Sequence, residues 1–221
     1  MQEMFKRCKA KGEVFENYIK SRGFLPEDIE PFNLGLYRYK VTDWERYRFV
    51  KGSDNSIFLP IYDDRLEPAG FELRTTKDIK LHAKYYDPKS RYYFFGFTKL
   101  GLQEIFDTET VFLTEGTFKT IAFSLWRKNV LGLMTNKITD TQKIFLRRYV
   151  KKIYLCFDFD KWGLIQQKTV VEELNKEGFQ ARLFPHVVAS DHEKDADALM
   201  KKLGRDKFIR TLEKRFQGVE I

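Results

Sequence analysis

The 221-residue sequence predicts an α/β protein in two parts: an α+β N-terminal portion, then a domain whose mostly parallel central sheet is covered by helices. Three observations carry this. From about Thr110 onward, short apolar segments alternate with longer amphipathic ones, the rhythm of a βαβ chain. Those apolar segments run without polar alternation, as strands buried on both faces do. Between about Leu34 and Thr98 the pattern is instead short strands separated by turn residues, which suits antiparallel pairing.

The elements follow in order. Residues 1 to about 22 read as a basic segment and then a helix, with Val14, Phe15, Tyr18 and Ile19 on one face and Gly23 as its stop. Pro26-Glu27-Asp28 opens a second, short helix, because proline is tolerated in a first turn. Residues 56–62 form an apolar strand, Asp63-Asp64-Arg65 a turn, and residues 69–74 the return strand of a hairpin. The aromatic-dense segments 84–88 and 92–97 are expected to pack in a core, with base stacking as the alternative.

In the second half, residues 110–114 form a buried strand that ends at Glu115-Gly116, and a helix bearing Ile121, Ala122 and Leu125 follows. Residues 130–134 are a second strand, and residues 139–148 a helix with Thr139 as its N-cap. Residues 152–157 are a third strand, ending at Asp158-Phe159-Asp160. A helix over 164–176 is stopped by Gly178, a fourth strand covers 179–184, and residues 195–203 are the last clear helix. The change of pattern divides the chain into a basic portion over 1–108 and a domain over 109–221 that closes in a short helical tail.

Composition narrows the function classes. Lys plus Arg number 40 against 32 Asp plus Glu, a net charge of +8, which suits a phosphate-bearing partner or simply a solvated lysine-rich surface. With 43% hydrophobic residues, 21 Phe and 11 Tyr, wholesale disorder is excluded. No stretch approaches the roughly 20 apolar residues of a membrane span, and no signal-type apolar core follows Met1. The two cysteines, Cys8 and Cys156, cannot build a disulfide framework or a four-thiolate zinc site. The expectation is a soluble protein of a reducing, intracellular compartment, with no membrane partner.

Inside this basic chain, carboxylates collect at strand ends. Glu115 follows the first parallel strand, Asp158 and Asp160 follow the third, and Asp195 and Asp197 follow the fourth. Ligands of open α/β sheets bind outside the carboxyl ends of the strands, so these acids should gather on one edge. Carboxylates at close range repel, and a divalent cation relieves the repulsion. Oxygen ligands suit Mg²⁺ or Mn²⁺. Acids at strand ends also serve as helix caps, and a lone D-x-D decides little; acids at three strand ends favour a metal site.

The order apolar strand–Glu115-Gly116, then Phe157-Asp158-Phe159-Asp160-x-x-Gly163, then Lys194-Asp195-Ala196-Asp197-Ala198-Leu199 resembles the TOPRIM domain of primases, topoisomerases and some nucleases. The N-terminal half points to one branch. Phe58-Leu59-Pro60-Ile61-Tyr62-Asp63 with Gly70-Phe71-Glu72-Leu73-Arg74 is similar to the hairpin of DnaG-type primases, and Lys84-Tyr85 and Arg22-Gly23-Phe24 resemble further segments of that family. The resemblance covers roughly residues 15 to 205.

It implies a primase catalytic core: metal-dependent, template-directed synthesis of short RNA primers on single-stranded DNA. Glu115, Asp158, Asp160, Asp195 and Asp197 would be metal-site acids. Arg74, Lys84, Lys119 and Lys161 would meet nucleotide or nucleic-acid phosphate, with Lys84 also a catalytic candidate beside Glu115, Asp158 and Asp160. The implied partners are a DNA template, nucleoside triphosphates, and a replicative helicase or a zinc-ribbon domain on another chain. The implied setting is the cytoplasm of a bacterium or a phage's or mobile element's bacterial host.

The sequence also departs from the family pattern. An Asp is expected four positions after the first Glu, where Lys119 stands, and Asp54-Asn55-Ser56 replace an R-x-R ahead of the hairpin. Only Cys8 lies where a zinc ribbon would be, and no G-x-x-x-x-G-K-[ST] run supplies a helicase motor. About twenty residues follow the last clear helix, so a minimal enzyme or an excised core is expected. Two competing functions use the same residues: a metal-dependent nuclease and a non-catalytic nucleic-acid-binding accessory protein. The basic run 147–152 reads as a helix end or a nucleic-acid groove. His82, His186 and His192 have no ligand spacing, and Cys156 reads as inert packing.

Overall fold

The computed structural model describes residues 1–9, 11–47, 55–76, 82–87, 92–135, 137–159, 161–185 and 196–217. Contacts divide the chain into two units, Met1–Tyr93 and Phe94–Ile221.

The first unit opens with helices α1 (Gln2–Cys8), α2 (Glu13–Ser21) and α3 (Pro26–Ile29), the last running into a 3-10 turn over Glu30–Phe32. On α2 the buried positions are Phe15 and Ile19, an i, i+4 pair, and the chain leaves the helix through Gly23 at φ 84°. Strand β1 (Gly35–Leu36), helix α4 (Val41–Arg46) and strands β2 (Ile57–Tyr62), β3 (Pro68–Arg74) and β4 (His82–Tyr86) complete the unit. The four strands form an antiparallel sheet in the order β1-β2-β3-β4. The β2–β3 hairpin turns where Asp63 Oδ1 accepts from the backbone N–H groups of Arg65 and Glu67. Met4, Phe5, Cys8, Tyr37, Tyr47, Phe58, Phe71 and Leu73 close the core, with Phe58 stacked on Phe71 and Phe5 edge-on to Phe58.

The second unit holds α5 (Lys99–Thr108), β5 (Thr110–Thr114), α6 (Thr117–Ser124), β6 (Val130–Gly132), α7 (Asp140–Tyr149), β7 (Lys152–Leu155), α8 (Lys161–Lys176), β8 (Gln180–Leu183), α9 (Ala196–Leu203) and α10 (Arg205–Gln217). Its sheet is parallel in the order β6-β5-β7-β8. Val111, Phe112 and Leu113 point alternately to opposite faces and all are buried, so helices flank the sheet on both sides. Thr139 caps α7 as expected, its hydroxyl accepting from Gln142 N–H.

Two expectations are adjusted and a third is met. The division falls at 93/94 rather than 108/109, because Phe95 and Gly132 exchange backbone hydrogen bonds at 2.9 and 2.8 Å and α5 packs on β5. The helical tail is a full helix, α10, whose Phe208, Leu212 and Phe216 are buried. Tyr92, Phe94, Phe95 and Phe97 are all buried, so this aromatic segment packs in the core as expected. Among the described residues, no helix is long and apolar enough to cross a membrane.

Candidate functional site

The carboxyl ends of β5 and β7 carry the acids. β5 delivers Glu115, and α6 begins two residues later. The turn between them is clamped by buried hydroxyls. Thr120 Oγ1 donates to Gly116 O at 2.8 Å and lies 2.7 Å from Thr114 Oγ1, and both threonines are fully buried. Gly132 at the end of β6 lets that strand approach: a Cβ there would stand 2.5 Å from Thr120 Oγ1. Leu133 N–H donates to Thr114 O at 2.8 Å and ties the next loop to the same strand end.

β7 continues through buried Cys156 and Phe157 to Asp158. Gly163, in the first turn of α8, packs on the Asp158 backbone, and a Cβ there would collide with the Asp158 carbonyl oxygen. Phe159 turns inward against Phe123, so the chain leaves Asp158 at the surface edge with its neighbours anchored.

Lys119 joins the two acids. It lies in the first turn of α6, four positions from Glu115, and its Nζ is 3.4 Å from Glu115 Oε2. The same ammonium pairs with Asp158 Oδ1. The lysine side chain is 6% exposed, against 20% for Glu115 and 27% for Asp158. Expected among the phosphate-contacting groups, Lys119 is thus buried between the two carboxylates.

The remaining candidates are placed as follows. Asp197 is buried in the first turn of α9, which packs against α6. Asp160 and Asp195 lie outside the described residues, as do His186 and His192 and the side chain of His82. Among the described residues, no three His, Cys, Asp or Glu side chains form a group that could hold a metal ion. Lys161 is exposed at the start of α8. Cys156 is buried and its thiol is pushed well above the ordinary range by burial, in keeping with inert packing. In the basic run, Arg147 pairs with Glu177 at 3.1 Å and lies over the Phe179 ring, while Lys151 pairs with Glu109, so these cations are engaged at a helix end.

Arg74 and Lys84 belong to the first unit. Glu72, 1% exposed, accepts from Arg74 Nε and Nη2 at 3.2 and 3.1 Å, and it sits opposite Lys84 in the β3–β4 register. Burial lowers the Lys84 pKa from the ordinary lysine value; Glu72 opposes this and Arg74 adds to it. Sequence reasoning did not single out Glu72 as a partner, although its i−2 spacing from Arg74 on a strand puts both on one face. The Thr114–Thr120 clamp and the close approaches at Gly132 and Gly163 carry no spacing signal of their own.

The donor chemistry at Glu115 and Asp158 suits a hard divalent ion, since both offer carboxylate oxygens. The space between them does not, because the Lys119 ammonium stands there.

The Toprim-like family matches residues 112–200. An uncharacterized protein of Mycoplasma genitalium is 30% identical over 181 residues, which cover 78% of this chain and 74% of that protein. The DNA primase of Aquifex aeolicus is 23% identical over 239 residues, 95% of this chain and 47% of the primase. This chain belongs to the DnaG-type primase family with a TOPRIM domain. Among solved structures, a DnaG primase catalytic domain bound to single-stranded DNA shares the fold, with a TM-score of 0.73 at 18% identity over 97% of this chain and 77% of that one. The chain spans about a third to a half of the length of the curated DNA primases it matches first. Within this family the two units take their place: the Toprim-like match lies wholly in the second unit, and the likeness to primases extends through the first.

Proposed function

We propose that this chain is a primase catalytic core that joins ribonucleotides into short RNA primers on single-stranded DNA during replication. The observation that carries the reading is the convergence of Glu115 and Asp158 at the carboxyl edge of the parallel sheet, in a chain whose likeness to primases is not confined to the TOPRIM domain. A nuclease reading leaves the likeness of the first unit to primases without a use.

The reaction joins a primer 3′-oxygen to the α-phosphorus of a nucleoside triphosphate; the bond to pyrophosphate breaks and the hydroxyl proton is released. Mg²⁺ or Mn²⁺, when bound, stabilises the charge on the entering and leaving oxygens. Asp158 and Glu115, with Asp160, Asp195 and Asp197, would supply its oxygen ligands. Arg74, held by Glu72, presents a fixed guanidinium to phosphate, and Lys84 and Lys161 add ammonium groups. The protein's share is positioning and charge rather than covalent chemistry. The setting is the cytoplasm of a bacterial cell, with a bacteriophage or mobile element as the source and a helicase or zinc-ribbon chain as further partners.

The test is a priming reaction with single-stranded DNA, labelled ribonucleoside triphosphates and Mg²⁺ or Mn²⁺, beside an Asp158→Ala/Asp160→Ala variant. Short labelled oligonucleotides that disappear in the variant support the proposal. Metal-dependent loss of the DNA without product replaces it with a nuclease. Salt-sensitive DNA binding with neither activity replaces it with an accessory protein, the reading that Lys119 itself favours.

A further inference from the structure

We infer that Lys119 is the resident cation of the Glu115–Asp158 pair, so that this chain binds one divalent ion fewer at that edge than its acids would accept alone. The inference rests on the reading of these acids as a metal site and deepens it by setting the number of ions.

The geometry comes from the backbone. Glu115 stands just past the end of β5 and Lys119 in the first turn of α6, so the strand-to-helix turn through Gly116 brings the two side chains, four positions apart, together. The strand order then brings β7 next to β5, which puts Asp158 within reach of the same ammonium from 39 positions away. All eight residues of α6 are buried, from Thr117 to Ser124, so the helix is not free to roll and carry the lysine out to solvent. A charged side chain that is only 6% exposed is stable when it is paired, and here it is paired twice.

The electrostatics follow. Two carboxylates carry −2 and attract a divalent ion; with the ammonium between them the trio carries −1. A divalent ion entering the same gap meets a fixed like charge at ion-pair distance and finds one lone-pair direction of each acid already used. The Asp158 and Glu115 oxygens turned away from Lys119 remain available to an ion outside the gap. The outcome is a site with one built-in monovalent charge and a smaller complement of exchangeable metal.

The experiment counts ions without any priming step. The full chain is titrated with Mn²⁺ and the free ion is read by its electron paramagnetic resonance signal, for the wild type, Lys119→Gln, Lys119→Asp and Lys119→Arg. Circular dichroism first establishes that each variant is folded. Lys119→Gln and Lys119→Asp are expected to bind one Mn²⁺ more than the wild type, with the added ion tightest in Lys119→Asp. Mn²⁺ should raise the melting temperature of both more than it raises that of the wild type. Lys119→Arg keeps the charge and should keep the wild-type count. A variant that is unfolded without metal and refolds with Mn²⁺ also supports the inference. Equal counts and affinities in all four proteins overturn it, as does an extra ion in Lys119→Arg. Failure of priming with the expected ion counts overturns the proposed function alone; priming with unchanged counts overturns this inference alone.

Discussion

Replacing Gly132 by alanine should cost about 2–4 kcal/mol of folding stability, and the loss should nearly vanish when Thr120 is alanine as well. The added Cβ would lie 2.5 Å from Thr120 Oγ1 and 3.4 Å from Phe95 Cβ. Thr120 is β-branched and fully buried, so its hydroxyl escapes only by leaving both Gly116 O and Thr114 Oγ1. Each of those bonds contributes about 1 kcal/mol, and overpacking adds roughly 1–3. The reduced freedom of the unfolded chain returns about 0.4–1 kcal/mol, since Gly132 is not at positive φ. Thr120→Ala alone loses the same two bonds without the clash and should cost about 1–3 kcal/mol. In the double variant no oxygen opposes the new methyl group, so its stability should match that of Thr120→Ala within about 1 kcal/mol. Urea unfolding at 25 °C of the four proteins closes the cycle. Additive single effects, within about 0.5 kcal/mol, would refute the claim that β6 and the Glu115 turn meet through this hydroxyl. Because the clamp fixes the turn that carries Glu115, Gly132→Ala should also weaken Mn²⁺ binding, read by the same titration used for Lys119.

Two further outcomes are expected. Phe216→Ala should destabilise the second unit by about 3–5 kcal/mol, measured by urea unfolding, because its ring lies 5.0 Å from Tyr154, 5.3 Å from Phe112 and 5.3 Å from Trp126; an effect below about 1 kcal/mol would mean that α10 does not anchor the sheet. Lys84 has its pKa lowered by burial, so the folded state binds its proton less tightly than the unfolded state does. The charged lysine therefore opposes folding below its folded pKa. Stability rises relative to Lys84→Met as pH climbs from that lowered value towards the ordinary lysine range. Parallel unfolding curves at pH 8 and pH 10 for the two proteins, with no change in their difference, would contradict this sign.

Several elements were legible because neighbours a few positions apart set them. Phe15 and Ile19 mark α2, Thr139 marks the start of α7, and Gly23 and Gly178 adopt the positive φ that ends α2 and α8. The βαβ rhythm from Thr110 yielded the parallel sheet, because strands buried on both faces have no polar alternation to hide them. Helix α5 was not legible: Leu100 and Phe106 are exposed beside buried Leu102 and Ile105, which blurs the period, although Thr98 caps it with a hydroxyl to Gly101 N–H. Helix α10 shows Phe208, Leu212 and Phe216 at four-residue spacing, yet only the folded sheet explains why that face is needed.

The sequence by itself determined which residues are acidic, that Glu115 and Asp158 follow the ends of β5 and β7, and which family the chain resembles. Strand ends and motif spacing are properties of short stretches of chain. The tertiary structure alone decided what Lys119 does. A lysine four residues after Glu115 could face solvent, phosphate or an acid, and the sequence contains no term that links it to Asp158 across 39 positions. That link exists because β5 and β7 are neighbours in the sheet and α6 is wholly buried, which leaves the ammonium between two carboxylates. Charge pairing depends on distance in space, and distance in space is fixed only when the sheet has formed.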